Sequence, residues 1–453
     1  MLSRLQNQFA CRTMTKPLLL LWLGVVCCIS NESGFAQTSD LLAKADARIL
    51  QHRTTQRQIR LFDQDGKPLP AGTFIRLTMQ RHAFLFGGNL FQFETWDTAA
   101  QNDEYQRRFA DVMNFATLGV YWYQFEPQPG QVDAERIERA AQWCRENQIR
   151  AKGHPLVWTY EPPWTANLAQ AAAEQALWQR IDREVRFFRG RIDTWDVLNE
   201  PCVGLKQARE RNAAALLRTY QQYGVPQVIR RSFEEARQSN PDARLILNDY
   251  DNTVAYENVI RQAIADQVTF DAIGLQTHMH QGYWGAEYMW QICERFARFH
   301  KPLHFTEVTL LSGELKDPND IETETQRQGW HSTAAGEQRQ ATQLEELYTL
   351  LFSHPAVEAI TWWDFSDAHA WQGAPAGLLR KDLSAKPAYE TLKRLVRQRW
   401  WTPEQTLVVD ANGQVTLRGF LGDYQAAVVD SPEQKAFFSL SKGSSLIDVT
   451  LNE

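Results

Sequence analysis

Short apolar runs recur along the chain, beginning near Phe84, Phe115, Ala151, Thr194, Leu245, Phe270, Leu303 and Val357. The segments between them change period. Leu177, Ile181, Val185 and Phe188 fall three or four apart, which predicts a helix with one stripe turned inward. Asp133 is placed to cap a helix carrying Ile137, Ala141 and Cys144. Strands alternating with helices predict a parallel sheet with crossover helices, and eight strands are the number that closes a barrel. The predicted fold class is therefore α/β, a (β/α)8 barrel over residues 82–396.

The pattern changes on either side. Ile59 to Phe62 and Thr73 to Met79 read as short strands around the turn Asp65-Gly66-Lys67-Pro68, a small β element within 37–81. A helical stretch from Pro387 to Arg399 ends the alternation. Val, Thr, Gly and Asn then dominate, and residues 397–453 read as a small β module. Residues 1–36 read as an export signal: Arg4, Arg12 and Lys16 precede an apolar run from Leu18 to Ile29, and Gly34-Phe35-Ala36 offers a cleavage point. No other segment is apolar and long enough to cross a membrane. The polar stretch from Ser312 to Glu337 is long enough to shape the mouth of a site.

Composition narrows the class. Hydrophobic residues make up 43% of the 453 and charged residues 23%, which excludes disorder as the main state. A net charge of −6 argues against nucleic acid or an anionic membrane as partner. Beyond the signal only Cys144, Cys202 and Cys293 remain, too few for a disulfide framework, and the chain is expected to act as a monomer. Sixteen Trp is a high count, and flat aromatic faces suit sugar rings.

In a closed barrel the C-terminal strand ends converge on one face. Here those ends carry His154 and Trp158, Asn199 and Glu200, Asn248 and Asp249, Gln276 and His278, Glu307, and Trp363 with Asp364. Carboxylates, amides, imidazoles and indoles in one cleft suit glycoside cleavage, which needs two carboxyl groups and no cofactor. Spacing alone does not choose among Glu126, Glu200, Asp249, Glu307 and Asp364, any of which suits a rim ion pair or a helix cap. His278 and His280 open a rival from another class, a metal-dependent hydrolase that recruits His154, His304 or Asp249. A non-catalytic glycan-binding barrel is a third reading, against which the presence of both Glu200 and Glu307 argues.

Trp195-Asp196-Val197-Leu198-Asn199-Glu200-Pro201 resembles the acid/base motif of glycoside hydrolase family 10, the endo-1,4-beta-xylanase family of (β/α)8 barrels. Gly153 to Trp158, Leu247 to Tyr250, Ile273 to His278, Phe305-Thr306-Glu307 and Ile360 to Trp371 resemble further segments in the same order. The resemblance implies a retaining hydrolase of β-1,4-xylosidic bonds in xylan-type polysaccharide, with Glu200 as general acid/base and Glu307 as nucleophile. It further implies that Asn199, Gln276 and His278 contact the reacting sugar or the nucleophile, and that His154, Trp158, Trp363 and Trp371 hold the ring. No metal site is implied.

The second strand departs from the family pattern Glu-Asn-x-x-Lys-Trp. Thr117, Leu118 and Tyr121 replace the polar trio expected to grip the sugars, leaving Tyr121 as the substrate-facing candidate. Thr159 and Glu161 replace a His and a Gln, and Thr309 replaces an Asp that supports the histidine. A decorated xylan or another β-linked glycan is therefore the alternative substrate.

Overall fold

The computed structural model describes residues 40–315, 329–443 and 446–452. The expected signal at 1–36 and the middle of the polar stretch after Ser312 lie outside them. Two strands, β1 (Thr54–Phe62) and β2 (Phe74–His82), precede the barrel. The barrel comprises β3 (Leu85–Asn89), β4 (Phe115–Gly119), β5 (Arg150–His154), β6 (Thr194–Asn199), β7 (Arg244–Asp249), β8 (Ala272–His278), β9 (Leu303–Thr309) and β10 (Val357–Trp362). Each pairs in parallel with the next, and β10 returns to β3 with Ile360 opposite Phe86. The expected (β/α)8 architecture is present.

These strands are buried on both faces, which is why they read as apolar runs rather than alternating ones. Leu85, Phe115 and Ala359 fill one end of the barrel interior. The larger core lies between strands and helices. There the helix Gln170–Phe187 turns Leu177, Ile181 and Val185 inward. The expected cap at Asp133 is absent. The helix Glu135–Glu146 starts from Ala134 with no side-chain cap, and the Asp133 N–H donates to the Phe125 carbonyl at 2.8 Å. That bond ties Asp133 to the preceding turn.

Five strands follow the barrel: β11 (Gln405–Val408), β12 (Gln414–Phe420), β13 (Gly422–Val428), β14 (Ser431–Leu440) and β15 (Ile447–Thr450). The sequence divided the flanks into separate pieces, but the strands pair across that division. One sheet runs β12-β1-β15 and the other β11-β2-β13-β14. Ile59, Leu61, Ile75, Leu77, Leu417 and Tyr424 form their shared core. Trp400 seats this module on the barrel, buried against Phe86 and Phe352 with ring centroids 6.0 and 4.5 Å away. Tyr424 is also buried and donates to the Phe420 carbonyl at 2.7 Å. Among the described residues the module exposes Phe74 on β2 and Phe437 on β14.

Candidate active site

The C-terminal ends of the barrel strands open into a cleft of about 1110 Å³. Glu200 stands immediately after β6, in the left-handed backbone region (φ +58°) that costs a non-glycine residue strain. Its N–H donates to the Asn248 carbonyl at 2.8 Å, which pins the residue at the strand end. The residue is 7% exposed. Its Oε1 accepts from Asn199 Nδ2 at 3.2 Å and Gln276 Nε2 at 3.3 Å, and its Oε2 from Gln207 Nε2 at 2.7 Å. Burial pushes the Glu200 carboxyl above its ordinary range and the charge of Glu307 adds to this, while the Gln207 and Gln276 amides and Arg211 oppose it.

Glu307 lies within β9, 3% exposed. Its Oε1 accepts from Asn248 Nδ2 at 3.0 Å, and its Oε2 lies 2.9 Å from His278 Nε2. Asn248 Nδ2 also reaches Asn199 Oδ1 at 2.7 Å, so a chain of amides joins the two carboxyls. Asn248 Oδ1 accepts from Thr306 at 2.7 Å. This packing requires glycine at 274, where a Cβ would sit 2.3 Å from Asn248 Oδ1.

Rings line the cleft around this pair. Trp363 stands edge-on to His154 and His278, with centroids 5.4 and 5.7 Å away. Trp371, 44% exposed, covers His278 from the rim at 4.6 Å. Tyr121 faces the same space, 5.7 Å from His154 and 5.9 Å from Trp158. His154 Nδ1 lies 2.8 Å from Asp196 Oδ2, which also takes Lys152 Nζ at 2.6 Å. Burial alone would raise the Asp196 carboxyl, but Lys152 and His154 outweigh it and hold it below its ordinary range. A fixed carboxylate of this kind orients the imidazole.

The remaining candidates separate from the pair. Glu126 is bonded to Trp122, Arg183 and the Gly130 N–H, outside the cleft. Asp249 holds a turn through the N–H groups of Cys202 and Asp251. Asp364 lines the cleft wall, with Oδ1 taking the Trp371 N–H at 3.0 Å. The metal reading finds no ligand set. One nitrogen of His278 faces Glu307 and the other Thr309, while His304 sits near the opposite end of β9 beside Glu358. Among the described residues no three His, Cys, Asp or Glu side chains are grouped to hold a metal ion.

The model of Glycosyl hydrolase family 10 matches residues 78–395. The chain belongs to that family. It is 24% identical over 421 residues to anti-sigma-I factor RsgI6 of Acetivibrio thermocellus, spanning 90% of this chain and 49% of the relative. It is 27% identical over 277 residues to endo-1,4-beta-xylanase A of Cellvibrio japonicus, spanning 56% of this chain and 45% of the relative. The chain thus spans about half the length of these curated relatives. A crystal structure of xylanase 10B from Thermotoga petrophila in complex with xylobiose shares the fold, with TM-score 0.58 and 23% identity over 70% of this chain and 95% of that one.

Departures from the family-10 pattern have structural consequences. Leu118 does not face the cleft: it points into the core between strand and helix, while Thr117 is buried with its hydroxyl unpartnered. Only Tyr121 of the altered trio lines the cleft. Thr309 Oγ1 lies 3.2 Å from His278 Nδ1, so a hydroxyl stands beside the imidazole where the family commonly has a carboxylate. Thr159 Oγ1 accepts from Arg211 at 2.9 Å. Glu161 accepts from the backbone N–H groups of Ala215 and Leu216 and caps the helix there. Sequence reasoning missed Gln207, Tyr160 and Arg211 in the cleft. Gln207 and Arg211 sit on and just after the helix Gly204–Glu210, which carries no motif.

Proposed function

We propose that this chain is an exported retaining glycoside hydrolase that cleaves β-1,4-xylosidic bonds in xylan-type polysaccharide. The observation carrying this reading is the pair Glu200 and Glu307, buried in one cleft and joined through Asn199 and Asn248. Glu200, raised in pKa by burial, holds the proton for the leaving oxygen. Glu307 attacks the anomeric carbon and forms a glycosyl-enzyme intermediate. Once Glu307 is esterified its charge is lost, the acidity of Glu200 rises, and Glu200 can take a proton from the incoming water. Asn199 and Gln276 are placed to bond the sugar held between the carboxyls, with Trp363, Trp371, Trp158 and Tyr121 as its walls. Xylanases among the relatives support xylan as the substrate class. The apolar run at residues 18–29 supports export to where such a polymer is met.

Proton NMR of the first-formed product tests the mechanism, and retained β configuration is the expected result. Glu307→Ala should abolish turnover of every substrate. Glu200→Ala should lose on the order of 10²–10⁴-fold on xylan, as for loss of a general acid, and much less on aryl glycosides whose leaving group needs no proton. An inverted first product would overturn the assignment. An anti-sigma-I factor, a regulatory protein by its name, is matched over 90% of this chain, which favours a second reading as a non-catalytic glycan-binding barrel; multiple turnover of xylan would exclude it.

A further inference from the structure

We propose that Arg211 forms an anion subsite in the cleft, which takes the carboxylate of a uronic acid carried by the glycan. This inference rests on the hydrolase reading above and names the decoration that the cleft selects. Arg211 is the one arginine or lysine among the described residues that line the cleft. It ends the helix Gly204–Glu210, its N–H donating to the Gln207 carbonyl at 2.8 Å, and Asn212 follows in the left-handed region at φ +53°. The guanidinium carbon lies 5.0 Å from the ring centroid of Trp158 and 4.9 Å from that of Tyr160. Nη1 donates to Thr159 Oγ1 at 2.9 Å. The side chain is thus held by two rings and a hydroxyl.

What it lacks is a carboxylate bonded to it. Among the described residues no carboxylate comes within ion-pair distance of Arg211, whereas Arg183 pairs with Glu126 and Arg380 with Glu337. A guanidinium carries five N–H donors in a planar fork, and one is used here. A carboxylate matches the rest in shape and charge. Because the side chain is already ordered by stacking, a ligand gains the ion pair without first immobilising it. The surroundings sharpen the argument. The chain is acidic overall, and Glu307, ionised in the proposed mechanism, lines the same cleft. An anionic substituent is therefore repelled except beside Arg211. The subsite would fix where along the chain a decorated backbone is cut, since the cation has one fixed distance from Glu200.

The test uses the full chain and xylo-oligosaccharides of one backbone length. One ligand is linear, one bears a single glucuronic acid, one bears the same sugar with its carboxyl reduced to an alcohol, and one bears a sulfate. The wild type should favour the glucuronate ligand over its reduced form by roughly tenfold in kcat/KM, the scale of a partly exposed charge-assisted bond. Arg211→Gln should bring that ratio near one, Arg211→Lys should keep part of it, and high salt should erode it. Equal handling of charged and reduced ligands by the wild type, or an unchanged ratio in Arg211→Gln, would overturn the subsite. A stronger preference for sulfate would overturn the carboxylate assignment. Calorimetric binding of the same ligands reads the subsite without turnover. Failure to cleave any of them therefore overturns the hydrolase reading, while equal binding overturns the subsite.

Discussion

Gln207 Nε2 donates to Glu200 Oε2 at 2.7 Å, so the buried acid is held by an amide from the helix that follows it. An N–H donor favours the ionised carboxyl and works against burial. Replacing it with Gln207→Ala should disfavour the charge and raise the Glu200 pKa further. On the proposed mechanism the alkaline limb of kcat/KM follows deprotonation of Glu200, so that limb should move to higher pH. A pH–rate profile checks this, and a shift to lower pH would contradict it.

Leu118 and Tyr121 sit three residues apart in the same family motif but face different environments. Leu118→Asn should place an amide in the core with no partner, costing about 1–3 kcal/mol. That loss would appear in the urea midpoint rather than as better sugar binding. Tyr121→Ala should instead leave stability nearly intact and raise KM for xylo-oligosaccharides, because it removes a ring from the cleft wall.

Trp400 is 1% exposed and packs against both Phe86 and Phe352, which also touch each other. Trp400→Ala should cost about 3–5 kcal/mol, the range for deleting a large buried aromatic. Removing residues 400–453 should do more, since β1 and β2 would lose their β12, β15, β11 and β13 partners and bare Ile59, Leu61, Ile75 and Leu77. Insoluble protein is the expected outcome. A soluble, cooperatively melting truncation would show the barrel to be independent.

Asp364 is raised from its usual 3.8 to about 7, chiefly by burial, with the Trp371 N–H opposing and Asp367 adding to the rise. A carboxyl that binds its proton more tightly when folded stabilises the protein at low pH. That contribution declines as pH rises from 3.8 to about 7 and continues as a constant deficit above. Asp364→Asn should therefore flatten the fall of Tm across that window and raise Tm at pH 8. Thermal melts at several pH values read the difference directly.

How far the sequence carried the argument depends on the range of each interaction. Barrel strands such as β7 and β9 are buried on both faces, so their residues announce themselves as apolar runs. The cleft carboxyls followed from strand ends and motif order. Leu118 misled because counting along a motif does not say which face of β4 a residue occupies. Asp133 misled because a backbone bond to Phe125 fixed it before the helix began. Arg211 and Gln207 were invisible because their relevance comes from the fold bringing a short helix over Trp158 and Glu200, with no local pattern to mark it.

The pairing of β1 with β12, Ile59 opposite Val415, has a consequence for how the chain is made. On a ribosome β1 emerges early, yet its neighbours β12 and β15 come only after the whole barrel has been synthesised. Such a contact spans most of the chain and closes slowly. Until then Ile59, Leu61, Ile75 and Leu77 are uncovered, and nascent chains are open to mispairing through these strand edges. Strands β12 and β15 thus act as a completion step, sealing β1 into a shared core only once the barrel is made.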